Sequence, residues 1–294
     1  MNSPIFVVSD IHIGSGGSRD SFSQNKRNHC FESFLNYVEK ENGELIILGD
    51  FIDVWRFSLK KIIKVRNDLF NRLSEMKVTY VPGNHDEALK AYCDTDEIPH
   101  PFFRKLKQPF VKIIGRKRFS FLHGHEFDWL YRNLTPRMGR FLGLSSSIIE
   151  YAKGYSVFTI EEALFNVEEK LYLSSINLLK QISGFTNFHS YLQNDYVSLR
   201  YKHIGKLLSK HENKKLEEGY DIAVSGHTHH ACIFKDWYLN SGSWTGHSNN
   251  FIKILPDGKA NIYNWKKNVP EINKSTINRF KVNSKFKTTY ATAN

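Results

Sequence analysis

The sequence predicts an α/β fold in which buried strands alternate with helices. The first observation is a set of five short runs rich in apolar and β-branched residues, at 4–10, 44–50, 78–84, 119–125 and 221–227. The second is helical character between the first three runs, at 29–42 and 61–76. Such strands belong to sheets that are buried on both faces. The third is that every run ends in Gly, Asp, Asn or His, and ligands of open α/β sheets bind at the carboxyl ends of strands.

The first two runs end in acidic and imidazole side chains. Asp10 and His12 follow the first run in SDIHIG, and Asp50 and Asp53 follow the second in LGDFIDVW. Taken singly, an Asp at such a position is usually a helix cap or a turn former. In an extended backbone, side chains two residues apart share a face, so Asp10 and His12 are expected to point the same way.

The last three runs add amide and imidazole groups. VPGNHDE contributes Asn84 and His85, LHGHEFD contributes His123, and SGHTHH contributes His227 and His229, which the same spacing rule places on one face. Each of these histidines alone is more often a structural residue than a ligand. Together with the acidic groups, they form a set that can converge on two metal ions. His125 and His230 stay unassigned.

In this order the motifs D-x-H, G-D-x-x-D, G-N-H-D, H-G and G-H-x-H resemble the calcineurin-like metallophosphoesterases, over residues 10–229. The resemblance implies a four-layer α-β-β-α sandwich with a helical insertion. It also implies that one metal is bound by Asp10, His12 and His229, that Asp50 bridges, and that a second metal is bound by Asn84, His123 and His227.

The donor set suits borderline or hard cations. Mixed Asp, Asn and His ligands fit Mn²⁺, Fe²⁺ or Zn²⁺, and we expect two ions, with Mn²⁺ first. Two metals can hold a hydroxide and clamp the oxygens of an in-line displacement at phosphorus. By resemblance, His85 stabilises or protonates the leaving oxygen and Asp53 orients it.

Residues 129–215 lack the strand pattern, and their sequence predicts amphipathic helices that contain Arg137 and Arg140. Two interpretations stay open: the helices pack on the core, or they form a lid with an apolar, basic-rimmed face for a phosphorylated lipid. In the second case Asn84, Arg137 and Arg140 are candidate substrate-binding residues. The blocks GDFIDVW and HGHEFD and this insertion resemble the UDP-2,3-diacylglucosamine pyrophosphohydrolases of lipid A biosynthesis and their paralogues. That branch, however, has Arg at the position of His85 and Glu at that of Asp53.

The C-terminal part predicts strands and then a tail. Residues 238–244 and 251–265 read as strands with a PDG turn that close the second sheet. We therefore expect a domain over 1–265 and a basic, flexible tail over 266–294. The tail is either a disordered end or an attachment to anionic lipid or nucleic acid.

Composition limits the class of protein without choosing a substrate. The 294 residues carry a formal net charge of +11, which favours a phosphorylated substrate, an anionic membrane surface or nucleic acid, or is only a basic surface. The three cysteines show no pairing or zinc spacing, and no signal peptide or long apolar run is present. We expect a cytoplasmic protein, either free or peripheral on the inner face of the membrane.

Three functions from different classes follow from these features. The first is hydrolysis of a UDP-linked acyl sugar or related phosphorylated lipid, favoured by the insertion and the local blocks. The second is a metal-dependent nuclease or nucleotide phosphodiesterase, favoured by the GNHD form and the basic charge. The third is a non-catalytic scaffold on the same fold, which is disfavoured because no ligand position is missing.

Overall fold

Two β-sheets and the helices on their outer faces make up the computed structural model, which describes residues 3–17, 19–24, 27–108, 110–127, 208–245 and 248–273. In chain order the strands are β1 (Ile5–Val8), β2 (Glu44–Leu48), β3 (Val78–Val81), β4 (Phe110–Ile114), β5 (Lys117–Phe121), β6 (Ile222–Ser225), β7 (Cys232–Phe234), β8 (Tyr238–Asn240), β9 (Asn250–Ile254), β10 (Ala260–Lys266) and β11 (Val269–Ile272). The helices are α1 (Arg27–Lys40), α2 (Leu59–Val65), α3 (Asn67–Glu75) and α4, residues 208–218. Four short 3-10 helices lie at Ser21–Ser23, Glu87–Tyr92, Pro101–Lys105 and His125–Phe127.

The first sheet has the strand order β11-β10-β9-β1-β2-β3. Its β1, β2 and β3 are parallel, as expected for strands joined by helices. All four residues of β1 and of β3 are buried, which agrees with the prediction of strands covered on both faces. The parallel strands direct their carboxyl ends to one edge of the sheet.

The second sheet has the order β4-β5-β6-β8-β7, with β5, β6 and β8 parallel. The expectation that 251–265 closes this sheet is wrong, because β9 pairs antiparallel with β1 and β10 pairs with β9 in the first sheet. Of the two segments predicted to close it, 238–244 alone contributes a strand, β8, to the second sheet. An apolar pattern predicts that a strand is buried, but it does not name the partner strand.

The core confirms the four-layer α/β sandwich. Val7 and Ile46 belong to a cluster that also holds Phe119 and Val224, so the inner faces of the two sheets pack against each other. Phe6 faces the other way and packs with Phe34 of α1 in a second cluster. On the far side, a third cluster joins Leu208 of α4 to Tyr220, Ala223, Cys232, Trp237 and Tyr238.

Two element boundaries predicted from the sequence differ from those in the structure. The single helix predicted over 61–76 is divided at Arg66, whose φ of −109° and ψ of 19° end α2 before α3 begins. The predicted start of the tail, residue 266, is too early, because β11 pairs with β10 through Trp265↔Pro270 and the neighbouring residue pairs. Residues 274–294 and most of the predicted insertion, residues 128–207, lie outside the described residues.

Within the described ranges, no helix combines the length and the apolar composition that crossing a membrane requires.

Candidate metal centre

The predicted metal and catalytic residues lie in loops that follow strands, at the edge shared by the two sheets. The loops after β1, β2 and β3 bring Asp10, His12, Asp50, Asp53, Asn84 and His85; those after β5 and β6 bring His123, His227 and His229. Backbone hydrogen bonds fix the first two loops to each other, since the amides of Ile11 and His12 both donate to the carbonyl of Asp50. The site is therefore built from both halves of the sandwich.

The backbone at these loops is left-handed rather than extended. The φ angles are 54° at Asp10, 52° at His12, 50° at Asp50, 66° at His227 and 54° at His229. Such angles are uncommon for residues other than glycine, cost on the order of 1 kcal/mol or more each, and cluster at functional sites. The extended geometry assumed for the two-residue spacings is thus wrong, although the side chains still converge.

The acidic and imidazole atoms form groups small enough to hold metal ions. Asp10, His12 and His229 can place one ligand atom each within 4.8 Å of one another, and so can Asp10, Asp50 and His123. Asp50 Oδ2 lies 3.9 Å from His12 Nε2 and 3.3 Å from His123 Nε2. This carboxylate therefore stands between the two imidazoles, as a bridging ligand would.

The amide and the last histidine lie on the His123 side. Asn84 Oδ1 is 3.2 Å from His123 Nε2, and the His227 ring centroid is 5.3 Å from that of His123. His229 Nε2, by contrast, is 3.1 Å from Asp10 Oδ1. The two histidines of the GHTH loop thus face different halves of the centre.

The surroundings of the His12 ring show whether these residues are suited to bind a metal ion. Its side chain is 1% exposed, and neither ring nitrogen has a hydrogen-bond partner among the described residues. Burial, together with the nearby His85, lowers the pKa of His12 to about 3, so the ring is neutral at physiological pH. A buried, neutral imidazole without hydrogen bonds is rare in proteins and is the form that binds a metal.

The buried carboxylates also need a positive charge beside them to be stable in their ionised form. Burial alone would favour neutral Asp10 and Asp50, yet the charge of His229 lowers the pKa of Asp10, and that of His123 lowers the pKa of Asp50. Burial likewise opposes protonation of His123, but Asp50 and Asp10 raise the pKa of His123 well above its usual value. Two buried carboxylates in contact with imidazoles form a cavity suited to a divalent cation.

His85 and Asp53 form the expected pair. His85 Nδ1 lies 3.3 Å from Asp53 Oδ1, and the amide of His85 donates to Asp50 Oδ1 at 2.8 Å. Asp53 is fully buried; burial disfavours its charge, but Arg56 and then His85 lower the pKa of Asp53 below its usual range. The His85 ring centroid is only 4.6 Å from that of His12, so His85 borders the candidate metal ligands.

Two neighbours of this pair were not predicted from the sequence. Arg56 Nε lies 2.7 Å from Asp53 Oδ2, and the Trp55 ring stacks on His85 with centroids 4.0 Å apart. The spacing in DVWR, with an Arg three residues after the Asp, was the signal that could have identified Arg56. Both residues restrict the orientation of His85.

Asp86 joins the loops after β2 and β3, and it too was missed. Its carboxylate accepts hydrogen bonds from the amides of Phe51 at 2.8 Å and Gly83 at 2.5 Å, and from the Tyr80 hydroxyl. The residue is completely buried. It keeps Asp50 and Asn84 on adjacent loops at a fixed separation.

The remaining predicted residues divide into near and undescribed ones. His125 is buried, with Nε2 3.8 Å from Glu87 and its ring centroid 5.4 Å from that of His123. His230 is half-buried, and its amide donates to Thr228 Oγ1 at 3.4 Å. Arg137 and Arg140 lie outside the described residues.

Comparisons with known proteins agree with this arrangement at the level of the family. A family model described as calcineurin-like phosphoesterase matches residues 3–231. No curated protein matches the chain in sequence.

Solved structures that resemble the chain do so distantly. A predicted phosphoesterase from Streptococcus pneumoniae TIGR4 shares 16% identity, with a TM-score of 0.37 and coverage of 93% of this chain and 95% of that one. Vacuolar protein sorting 29 from Cryptosporidium parvum shares 14% identity, with a TM-score of 0.39 and coverage of 92% and 95%. The zinc complex of Vps29 from Entamoeba histolytica shares 12% identity, with a TM-score of 0.39 and coverage of 91% and 96%.

Proposed function

Since the chain belongs to the calcineurin-like phosphoesterase family, we propose that it is a phosphoester or pyrophosphate hydrolase that works with two divalent metal ions. The observation that carries the proposal is the position of Asp50, whose Oδ2 lies within 3.9 Å of both His12 and His123. A carboxylate that faces two separate groups of imidazoles can bridge two ions, whereas a single-ion site has no need of it.

We assign the ligands as the family resemblance implies. Asp10, His12 and His229 hold one ion, Asn84, His123 and His227 hold the other, and Asp50 is shared. Two bound ions, with Mn²⁺ as our first choice, would lower the pKa of a bound water and polarise the phosphoryl oxygens. The mixed carboxylate, amide and imidazole donors support a borderline or hard cation.

His85 acts on the leaving group in this proposal. Its Nδ1 faces Asp53, so Nε2 is the atom that is directed away from the carboxylate and can donate to the departing oxygen. Asp53 stabilises the protonated ring, and Arg56 holds Asp53 from the other side at 2.7 Å. Trp55, stacked on the ring, limits its rotation.

For the substrate we propose a phosphorylated, lipid-linked molecule such as a UDP-linked acyl sugar, converted in the cytoplasm or at the inner membrane surface. The blocks GDFIDVW and HGHEFD support it, and Asn84, Arg137 and Arg140 are its proposed contacts. The second candidate is a nuclease, because the net charge of +11 favours a polyanion.

The first experiment measures metal content and hydrolysis together. Purified protein should contain close to two transition-metal ions per chain by mass spectrometry and should hydrolyse bis(p-nitrophenyl) phosphate with Mn²⁺. Asp50→Ala should lose both the metal and the activity, while His230→Ala, on the same edge but outside the ligand set, should keep both. Full metal content in Asp50→Ala would contradict a bridging role.

A second experiment separates the two substrates. The Mn²⁺-loaded protein is incubated with a UDP-linked diacyl sugar and, separately, with single-stranded oligothymidylate, and the products are separated by chromatography. Release of UMP from the first supports the lipid-linked substrate. If the oligothymidylate is shortened and no UMP is released from the diacyl sugar, the lipid-linked substrate is rejected in favour of the nuclease function.

A further inference from the structure

A basic pocket lies beside the candidate metal centre, on the side of Asp53. Its volume is about 280 Å³, and the residues that line it include Gly16, Gly17, Arg19, Arg56, Ser58 and Lys61. Among the described residues, the lining contains three basic side chains and no acidic one. Positive charge with hydroxyl and backbone groups is the composition of a site for an anionic oxygen-rich group.

One wall of this pocket is a loop held in a single shape. Asp20 is completely buried and accepts hydrogen bonds from the amides of Gly14 at 3.2 Å and Gly16 at 2.7 Å. Arg66 donates to the same carboxylate at 2.6 Å. Gly16 and Gly17 have φ angles of 87° and 84°, which side chains rarely adopt. The wall is thus preformed, and binding there needs little further ordering of the chain.

Three basic side chains give the pocket its charge. Arg56 is buried, and its charge is balanced by Asp53 at 2.7 Å. Arg19 and Lys61, in contrast, are exposed side chains at the pocket. Arg56 lies beside Phe57, another lining residue, with the guanidinium 5.5 Å from the ring centroid.

The Asp53 carboxylate connects a residue that lines the pocket to His85 beside the metal centre. Asp53 contacts Arg56 with Oδ2 and His85, at 3.3 Å, with Oδ1. In the proposed function His85 serves the leaving oxygen, so the pocket lies on the leaving-group side of the centre. A group bound there is joined to the scissile phosphorus through the leaving oxygen.

From this geometry we propose that the pocket binds a second phosphoryl group of the substrate, carried by its leaving group. The inference rests on the proposed function and narrows it to substrates with at least two phosphoryl groups, either pyrophosphate-linked or successive along a nucleotide chain. Arg19 and Lys61 then determine specificity, and a simple phosphomonoester leaves the pocket empty.

Binding without metal tests the pocket by itself. Isothermal titration calorimetry of metal-free protein with methylenediphosphonate, whose P–C–P link resists hydrolysis, should show binding that weakens as salt is added. The double variant Arg19→Gln/Lys61→Gln should bind about tenfold more weakly. Lys64→Gln, an exposed lysine on the same helix that does not line the pocket, is the matched control and should bind as the wild type does.

No binding by the wild type, or equal loss in the double variant and Lys64→Gln, overturns the inference. Phosphoesterase activity is not needed for this result. A protein that binds methylenediphosphonate through Arg19 and Lys61 but hydrolyses nothing would contradict the proposed function and leave the pocket established.

Kinetics of the Mn²⁺-loaded protein then test the substrate class. Lys61→Gln should raise KM several-fold for UDP-N-acetylglucosamine or for oligothymidylate, whichever is hydrolysed, with little change in kcat. KM for bis(p-nitrophenyl) phosphate, which has one phosphoryl group, should stay unchanged. Equal effects on substrates with one and two phosphoryl groups would contradict a site for the second group.

Discussion

His85 is the single residue whose role in chemistry can be separated from metal binding. Its backbone amide donates to Asp50 at 2.8 Å, and its ring lies close enough to His12 and Asp50 to be grouped with them. The proposed ligand set nevertheless leaves the His85 ring out, so changing this side chain removes no assigned ligand. His85→Ala should keep the wild-type metal content and lose roughly 10²–10⁴-fold in kcat, the usual range for general acid catalysis. The measurement pairs metal analysis with steady-state kinetics.

The leaving group supplies the control for this prediction. A p-nitrophenolate leaves without protonation, so the loss in His85→Ala should be smaller for bis(p-nitrophenyl) phosphate than for an ester with an alkyl leaving group. Asp53→Asn should show the same ranking with a smaller effect, because it disturbs only the orientation of the ring. Equal losses on both esters would argue against a leaving-group role.

At the same scale, side chains named by the sequence motifs lie close together in the structure, but on a backbone of different geometry. Asp10, His12 and His229 converge because the loops after β1 and β6 lie at the edge shared by the two sheets. Their left-handed φ angles could not be predicted, since they depend on hydrogen bonds to distant loops, such as His12 to Asp50. Arg56 contacts Asp53 at a local spacing of three residues, whereas the hydrogen bond of Asp86 to Phe51 joins two distant loops and could not be predicted from the motif that contains Asp86.

Among the loops, the one after β3 determines how closely the two sheets' ligands approach. A methyl group on Gly83 would lie 2.6 Å from the Asp50 amide and 2.8 Å from His123 Cδ2, and would also overlap the Asp50 carboxylate. Gly83→Ala should therefore displace Asp50 and reduce both metal content and activity while the protein stays folded. Metal analysis and circular dichroism measure the two effects.

Gly219→Ala is the matched control for Gly83→Ala. Its methyl group would meet only Arg118, at 3.9 Å, although its φ of 66° makes the change slightly destabilising. It should keep its metal. Normal metal content in Gly83→Ala would show that the loop is less tightly constrained than the distances indicate.

Helix α4 contributes a pH-dependent stability. His211 is buried between Phe127 and Tyr238, with ring centroids 4.2 Å and 5.0 Å away, and burial lowers the pKa of His211 to about 3. Glu126 opposes this shift and Lys214 adds to it. Because the unfolded chain takes up the proton first, below about pH 6.5, the contribution of His211 to the free energy of unfolding should fall by about 2 kcal/mol from pH 7 to 5.

A variant isolates that contribution. In His211→Phe the ring contacts are kept and the titrating group is removed, so urea unfolding should depend less on pH between those two values than in the wild type. His29→Gln, which removes a histidine that is 71% exposed, should leave the wild-type slope unchanged. The same slope in His211→Phe and wild type would assign the pH dependence to other groups.

At the scale of the whole molecule, the strand pattern predicted the layers but not the partners of every strand. Apolar runs identified β1, β2, β3, β5 and β6, and helices between them implied parallel pairing, which is observed. The prediction that β9 and β10 belong to the second sheet is wrong, and it could not be made reliably because either sheet could bury the same apolar face. The pairing with β1 through Ile5↔Ile254 is a long-range choice, made by packing between the sheets.

Because both sheets contribute to the centre, metal binding should stabilise the fold as a whole. In the proposed assignment each ion has ligands from both sheets: Asp10 follows β1 and His229 follows β6 at one site, and Asn84 follows β3 and His123 follows β5 at the other. The ions would therefore tie the two halves together. A ligand that binds only the folded state adds about 2.7 kcal/mol at a hundred times its Kd. For a protein of this size each kcal/mol raises Tm by roughly 2–4 °C, so Mn²⁺ should raise Tm by about 5–10 °C in differential scanning calorimetry. Asp50→Ala should show little of this rise and His230→Ala all of it; an equal rise in wild type and Asp50→Ala would mean that the ion binds elsewhere and does not join the sheets.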